Sequence, residues 1–444
     1  MVPAKTESEE SMSRQCATSI LRSSNFRARG WKVSVLIPLF VGVVLCCSPR
    51  AGGGNPRQKP KVRAITAFIR IDRGHYQAQI ADSLQMLHQA KVAFERRGYQ
   101  VESIRITTQP FPEYVRGLNE AEALGFFHAY DNLAAKNGFD ANIGPAMLED
   151  TDDPLATQLL GEVLSDTKNL EASLVVAGED GVHWKSIHAA AKLIKFVEAH
   201  SPHSQGTFNF AATAMLAPYA PFYPGSYHTG VGHQFSVGWE AANLVDEVFA
   251  TTGSDAQVAR GRLAKAFAEH AIEMEKTAIE ISKQTGWTYM GFDPTPAPLR
   301  EVSIGAAIEK FLGAKFGSSG TLTAVAVITQ AVQTVPVKRI GYSGLMLPVL
   351  EDARLAQRWS EGTYHVDSVL AYSAVCGTGL DTIPLPGDIT EEQIARMIGD
   401  MATLAVKWHK PLSARLQPVA NKKPGERTEF NDPFLVNATL QPLP

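Results

Sequence analysis

From residue 62 to residue 417 the chain alternates short β-rich apolar runs with segments of helical period, and no Gly/Pro/Ser-rich linker interrupts it. Strands are predicted at 62–71, 99–108, 172–178, 208–215, 287–293, 337–342, 380–383 and 411–417. Helical segments fall between them, at 75–97, 119–136, 154–167, 183–200, 239–250, 255–283, 301–312, 320–333, 351–359, 366–374 and 390–407. Strands separated by helical crossovers pair in parallel and are buried between helices. The pattern therefore predicts an α/β fold in one large domain, 61–427, followed by a loop-like tail at 428–444. The long, highly charged 255–283 helix is a candidate interface in a homo-oligomer.

The residues before this body have a different character. Arg22, Arg27, Arg29 and Lys32 precede an apolar run of fifteen residues, Val33 to Cys47. As a helix that run spans roughly 22 Å, short of the ~30 Å hydrocarbon core. Basic flank, short apolar centre and small residues afterwards read as an export signal or anchor over 1–48. This predicts an exported, periplasmic or membrane-anchored protein, tethered through 33–47 if the run is retained. A lipid would sit on Cys46 or Cys47, although Leu45 and Cys46 are unusual residues to precede one. Residues 49–60 form a Gly/Pro linker.

Composition narrows function mainly by exclusion. The 42 Lys+Arg and 45 Asp+Glu give a formal net charge of -3, which argues against a nucleic-acid partner. Of the four cysteines, only Cys376 lies in the body, so the body has no internal disulfide and no CxxC zinc site.

Ligand sites of α/β folds sit at the carboxyl ends of strands, and five loops there are rich in Gly, Pro and reactive groups. Pro218–His228 offers His228 as base or ligand, or as a capping histidine. The GFDPTPAP stretch offers Asp293, as a cation or proton-donor partner or as an Asx-turn residue. Gly317-Ser318-Ser319-Gly320 opens a helix and suits an anion or an ordinary cap. The fourth loop, Arg339 to Gly344, leads to Glu351-Asp352, which read as helix-start charges. The fifth is Cys376-Gly377-Thr378-Gly379-Leu380-Asp381, where a thiol and a carboxylate flank a Gly-x-Gly turn. Cys376 is a nucleophile if a base activates it and a small buried hydrophobe if not. Asp388 or Thr390 caps the helix that follows. Arg415, on the last strand, is a partner for a substrate carboxylate.

Phe208 to Ala212, Pro221 to Pro224 with Tyr227-His228, the GFDPTPAP stretch, and Cys376 to Asp381 with PLPGD together resemble one family, the bacterial and archaeal domain of unknown function 711. The resemblance runs from about residue 61 to about 427. The sequence departs from the family pattern at Gly225-Ser226, where two alanines are expected. The resemblance implies a fold like the glycyl-radical enzymes of the pyruvate formate-lyase type: a single α/β barrel of about ten strands, helices outside, with a loop threaded into the centre. It implies no settled biochemical role. Radical chemistry is not expected, because Arg339-Ile340-Gly341-Tyr342 lacks one residue of the Arg-Val-x-Gly-Tyr motif and lies upstream of Cys376.

Two functions follow as expectations. The first is an enzyme acting on a small anionic metabolite in the barrel. Cys376, His228, Asp293 and Asp381 would be catalytic, and Ser318, Ser319, Gly320, Arg415, Gly377 and Gly379 would bind substrate. The second is a non-catalytic small-molecule binding protein of the cell envelope. No cofactor is indicated, and a metal site of His228, Asp293 and Asp381 has no fixed-spacing motif behind it.

Overall fold

A computed structural model describes residues 58–443, which belong to one compact unit, Arg57–Pro444. The predicted export segment and nearly all of the linker lie outside the described residues. Ten strands form in chain order: β1 (Lys61–Phe68), β2 (Val101–Thr107), β3 (Asp140–Pro145), β4 (Leu170–Gly178), β5 (Gly181–Val182), β6 (Phe210–Ala214), β7 (Gln234–Glu240), β8 (Thr288–Ala297), β9 (Gly379–Pro386) and β10 (Leu412–Val419). All belong to one sheet of order β8-β7-β1-β2-β3-β4-β6-β10-β9, with β5 paired to β4 off this path. β1, β2, β3, β4 and β6 are mutually parallel. β7 and β10 join this central group antiparallel, and each carries a parallel partner outside it, β8 and β9.

The fold is therefore mixed α/β, as the alternation predicts, but strand pairing does not close the sheet into the expected barrel. Its path ends at β8 on one side and β9 on the other. The segment 338–350 is bonded to both ends. Phe292 N–H donates to Lys338 O (2.8 Å) and Ile340 N–H to Phe292 O (3.1 Å), tying it to β8. Gly377 N–H donates to Leu345 O (2.7 Å) and Val349 N–H to Asp381 O (3.0 Å), tying it to the β9 side. The predicted strand at 337–342 is thus a single bridge, Phe292 to Arg339. It stops at Gly341, whose φ of +68° turns the chain away from an extended path.

The two faces of the sheet differ chemically. On the outer face Ile65, Ile104, Ile106, Ile143, Leu174 and Val176 join one apolar core with helices such as Tyr76–Arg96 and Trp184–His200. Each wholly buried Leu or Ile contributes about 1.5–3 kcal/mol to that contact. The inner face is polar. Successive strand residues point to opposite faces, so Arg105 and Thr107 of β2 alternate with Ile104 and Ile106. A bulge between Val62 and Ala64 places Arg63 out of register on β1.

The predicted helices form within a few residues of their expected limits. The helices expected from 239 and 301 each start three residues later, at Ala242 and Ile304, because Trp239 belongs to β7 and Ser303 caps the second. Caps account for several starts. Thr390 and Gln393 form a capping box for Glu391–Trp408, and Asp255 caps the thirty-residue helix Ala256–Thr285. After residue 427 the chain makes no regular element but packs back on the body. Thr428 N–H donates to Ala438 O, Val436 N–H donates to Leu350 O, and Phe430, Leu435 and Leu440 are buried.

Candidate functional site

The inner face has two neighbouring regions. Toward the carboxyl ends of the central strands, the loop after β6 folds back and fills the space. Thr66 Oγ1 donates to Pro221 O (2.8 Å), Thr107 Oγ1 to the Tyr223 hydroxyl (3.0 Å), and Asn142 Nδ2 to Pro224 O (2.7 Å). Ser226 Oγ lies 2.9 Å from Thr107 Oγ1, and His228 Nε2 pairs with Ile69 O at 2.8 Å. The Gly225-Ser226 departure fits this setting. A Cβ at 225 would stand 2.6 Å from the Tyr342 hydroxyl, and the serine hydroxyl supplies a bond that alanine lacks.

Toward the amino ends of the same strands lies a cavity of about 200 Å³. Arg63 of β1, Arg105 of β2, Asp140 of β3 and Glu171 of β4 border it. Asp381 of β9, Arg415 of β10, Ala297 at the end of β8 and Glu351 border it as well. Strands from the middle and both ends of the sheet thus face one hollow. The cavity lies at the carboxyl end of β8 but toward the amino ends of the central strands. Their carboxyl ends are occupied by the returning loop.

Ion pairs cross the hollow. Arg63 reaches Glu351 (3.1 Å) and Glu102 (3.2 Å), and Arg415 reaches Glu351 (2.7 Å) and Asp381 (3.2 Å). Each of the three arginines lies over an aromatic ring: Arg63 over Phe434, Arg105 over Tyr223 and Arg415 over Phe208, at 5.1, 4.8 and 4.5 Å. Such stacking fixes the guanidinium plane. Burial works against the Arg415 charge, but Glu351 and Asp381 outweigh it and hold its pKa above the usual arginine value. Burial raises the Asp381 carboxyl, and Arg415 draws it partly back.

Two groups keep free valences. Arg105 uses Nε toward Ser103 Oγ (2.9 Å) and Asp140 (3.5 Å). Its two terminal nitrogens have no hydrogen-bond partner among the described residues. Glu171 likewise has none, and burial pushes its carboxyl up to about 8, with Arg105 pulling it down and Asp140 pushing it up. A carboxyl that titrates near neutral pH inside a cavity has the property required of a proton-transferring group.

Of the residues singled out in the sequence, the structure brings together Asp381 and Arg415 and disperses the rest. Cys376 is fully buried in the apolar core. Its carbonyl, like Ser373 O at 2.9 Å, accepts from Lys410 Nζ. His228 is fully buried against Phe68 and Tyr219, in the filled region. Asp293 is a clamp, accepting from Thr295 N–H (3.0 Å), Thr295 Oγ1 (2.5 Å), Tyr342 N–H (2.8 Å) and Ser343 N–H (3.1 Å). That is the Asx-turn alternative, extended to pin the 341–344 turn onto β8. The thiol, imidazole and Asp293 carboxylate therefore do not assemble around a common point. Nor, among the described residues, do three His, Cys, Asp or Glu side chains form a metal-binding group.

Gly377 packs against Gly344, a Cβ on either lying 2.6 Å from the other's Cα. Gly379, at φ +93°, starts β9 against the Ser413 backbone. Both glycines allow chain segments, rather than a ligand, to approach. Ser318, Ser319 and Gly320 are exposed on the surface, away from the cavity lining. Asp352 caps its helix as predicted, accepting from the Arg354 and Leu355 amides, whereas its neighbour Glu351 turns into the cavity.

Arg63, Arg105, Glu171 and Glu351 were not recognised from sequence. The available signal was their position. Arg63 and Arg105 are charged residues within the β-rich runs 62–71 and 99–108, and Glu171 immediately precedes the run 172–178.

The model of the family described as Uncharacterised ACR (DUF711) matches residues 56–431. Among curated proteins, a UPF0210 protein of Pyrobaculum aerophilum is 31% identical over 354 residues, covering 76% of this chain and 77% of its own. One from Carboxydothermus hydrogenoformans is 26% identical over 396 residues, covering 81% of each chain. Among solved structures, the anaerobic ribonucleotide reductase of Thermotoga maritima in complex with dATP and CTP overlays with a TM-score of 0.35 at 8% identity. The overlay covers 85% of this chain and 79% of that one, and is too remote to carry fold or chemistry across. On the family match and the two relatives, the chain belongs to the Uncharacterised ACR (DUF711) family.

Proposed function

We propose that this protein binds a small metabolite bearing a carboxylate in the cavity inside the curled sheet and transfers a proton on it. Arg105 presents two free terminal nitrogens, the bidentate geometry that matches a carboxylate. Glu171 is the proton-transferring group. The observation that carries the reading is this pair: a carboxyl with no hydrogen-bond partner and a guanidinium with an open edge, facing one cavity. Arg63 and Arg415, neutralised by Glu351 and Asp381, shape the site and shield it. In this reading the sheet acts as a barrel whose seam is the 338–350 segment. The thiol of Cys376 and the imidazole of His228 take no part.

The test is a thermal-shift and calorimetric panel of carboxylic acids of two to five carbons on the wild type and on Arg105→Gln. Binding by the wild type that Arg105→Gln weakens at least tenfold supports the reading. No binding by any member, or undiminished binding in Arg105→Gln, overturns it. Once a turned-over ligand is found, Glu171→Gln should bind it and fail to convert it.

A further inference from the structure

The charges around the cavity are unequally matched. The charges of Arg63 and Arg415 are matched by carboxylates of the chain itself. Arg105 alone among the three has both terminal nitrogens without a partner among the described residues. Lys168, at the exposed mouth, has no carboxylate within ion-pair reach among the described residues. Two carboxyl groups of the lining, Glu171 and Asp432, also have no cation within ion-pair reach among the described residues. Asp432 accepts backbone N–H groups, Phe434 N–H at 2.8 Å among them. The lining also leaves two buried donors without a partner, Arg415 Nε and Thr378 Oγ1. A ligand carrying only negative charge would satisfy Arg105 and face two unmatched carboxyls. A ligand carrying both signs would satisfy both.

We infer that the ligand is a small zwitterion, with its carboxylate on the terminal nitrogens of Arg105 and a cationic nitrogen facing the unpaired carboxyls of Glu171 and Asp432. This deepens the reading above and rests on it. The cavity volume agrees with the size. An apolar cavity of about 150 Å³ holds benzene, a molecule of six heavy atoms. About 200 Å³ therefore suits a compact molecule of amino-acid dimensions. The electrostatics agree in direction. Burial raises the carboxyls of both Glu171 and Asp432, and neither is held down by a paired cation. A cationic nitrogen supplies one and returns Glu171 to its ionised form.

Titration calorimetry on the full chain at pH 7 tests this with matched pairs that share a carbon skeleton: alanine against lactate, β-alanine against 3-hydroxypropionate, aspartate against malate. The amino member of at least one pair should bind at least tenfold more tightly than its hydroxy counterpart. Repeating the titration in buffers of different ionisation enthalpy should show close to one proton released, from Glu171. Glu171→Gln should reduce the preference below threefold and abolish the proton release. Asp432→Asn provides a second variant, with a preference reduced in the same direction. Equal affinities within every pair, tighter binding of malate than aspartate, or a preference that survives in both variants overturns the zwitterion and leaves the carboxylate site standing. No binding by any of the six overturns both.

Discussion

Along β2 the inner face changes character within two residues. Arg105 borders a hollow, and Thr107 is bonded to the loop that plugs the space beside it. β3 repeats the change, from Asp140 at the hollow to Asn142 bonded to Pro224 O. In the filled region, small neutral polar groups meet loop carbonyls and hydroxyls at 2.7–3.0 Å. Each such bond contributes about 0.5–1.5 kcal/mol net, and the loop leaves little volume. In the hollow region, guanidinium and carboxylate groups face one another, and such pairs contribute little net stability because desolvation offsets their attraction. The filled region stabilises the fold. The hollow region lowers stability and keeps space and unsatisfied valences, which is the usual cost of a functional site.

The comparison breaks most directly at Glu351, the carboxylate shared by Arg63 and Arg415. Glu351→Ala leaves two buried guanidinium groups facing each other, so urea melting at pH 7 should show a loss of about 3 kcal/mol. A loss below about 1 kcal/mol would mean that Glu102 and Asp381 suffice and that charge pairing does not hold the hollow open.

The filled region has its counterpart in Gly225. Gly225→Ala drives a methyl group toward the Tyr342 hydroxyl, with Leu216 and Thr213 side chains 3.1 Å away. Overpacking of this kind costs about 2 kcal/mol. Adding Tyr342→Phe should recover most of it. Absence of recovery would show that the loop, rather than the hydroxyl contact, resists the change.

The same contrast explains what the sequence revealed. The outer face was legible because its apolar alternation is the ordinary signature of strands packed on helices. β3 and β7 were missed because their inner positions are polar or glycine: Asp140, Asn142 and Gly144, then Gln234, Ser236, Gly238 and Glu240. No apolar run marks such strands. The cavity was missed for a related reason. The Gly/Pro-rich segments mark the plug and the end of β8, where His228 and Asp293 hold chain segments, while the free valences belong to Arg105 and Glu171 on the central strands. Arg415 was legible because it is a lone charge in the apolar strand 411–417. Glu171 falls just before 172–178, outside the run as read. Glu351 was indistinguishable from Asp352, because which of two adjacent carboxylates caps the helix depends on tertiary neighbours.

A third effect separates the regions by pH. The folded Glu171 carboxyl, at about 8, lies above its ordinary value near 4.5. The folded state therefore holds an extra proton between those values, and stability falls as pH rises through 8. Glu171→Gln removes this penalty. At pH 9 it should be more stable than wild type by on the order of 1 kcal/mol, the cavity solvent screening the partly exposed group. Near pH 4 the two should melt together. A difference that persists unchanged at pH 4 would place the effect in packing and not in the carboxyl charge.

The smallest effect has the opposite sign and comes from the filled region. Burial lowers the His228 pKa below 6.5, against a smaller opposing contribution from its bond to Ile69 O. Between the folded value and 6.5 the unfolded chain binds more protons, so stability is full above 6.5 and is lost as pH falls. Its Nδ1 is buried without a partner, so protonation there adds a donor that nothing accepts. The groups around the ring are Phe68 and Tyr219, with Arg70 opposing the added charge and Glu113 favouring it. His228→Asn, short enough to avoid new contacts, should lower stability at pH 7 through the lost bond and narrow the gap to wild type as pH drops toward 5. Thermal melts across that range read the gap directly. A gap that stays constant would show that the imidazole titrates alike in the folded and unfolded chain, leaving the hollow region as the source of the pH response.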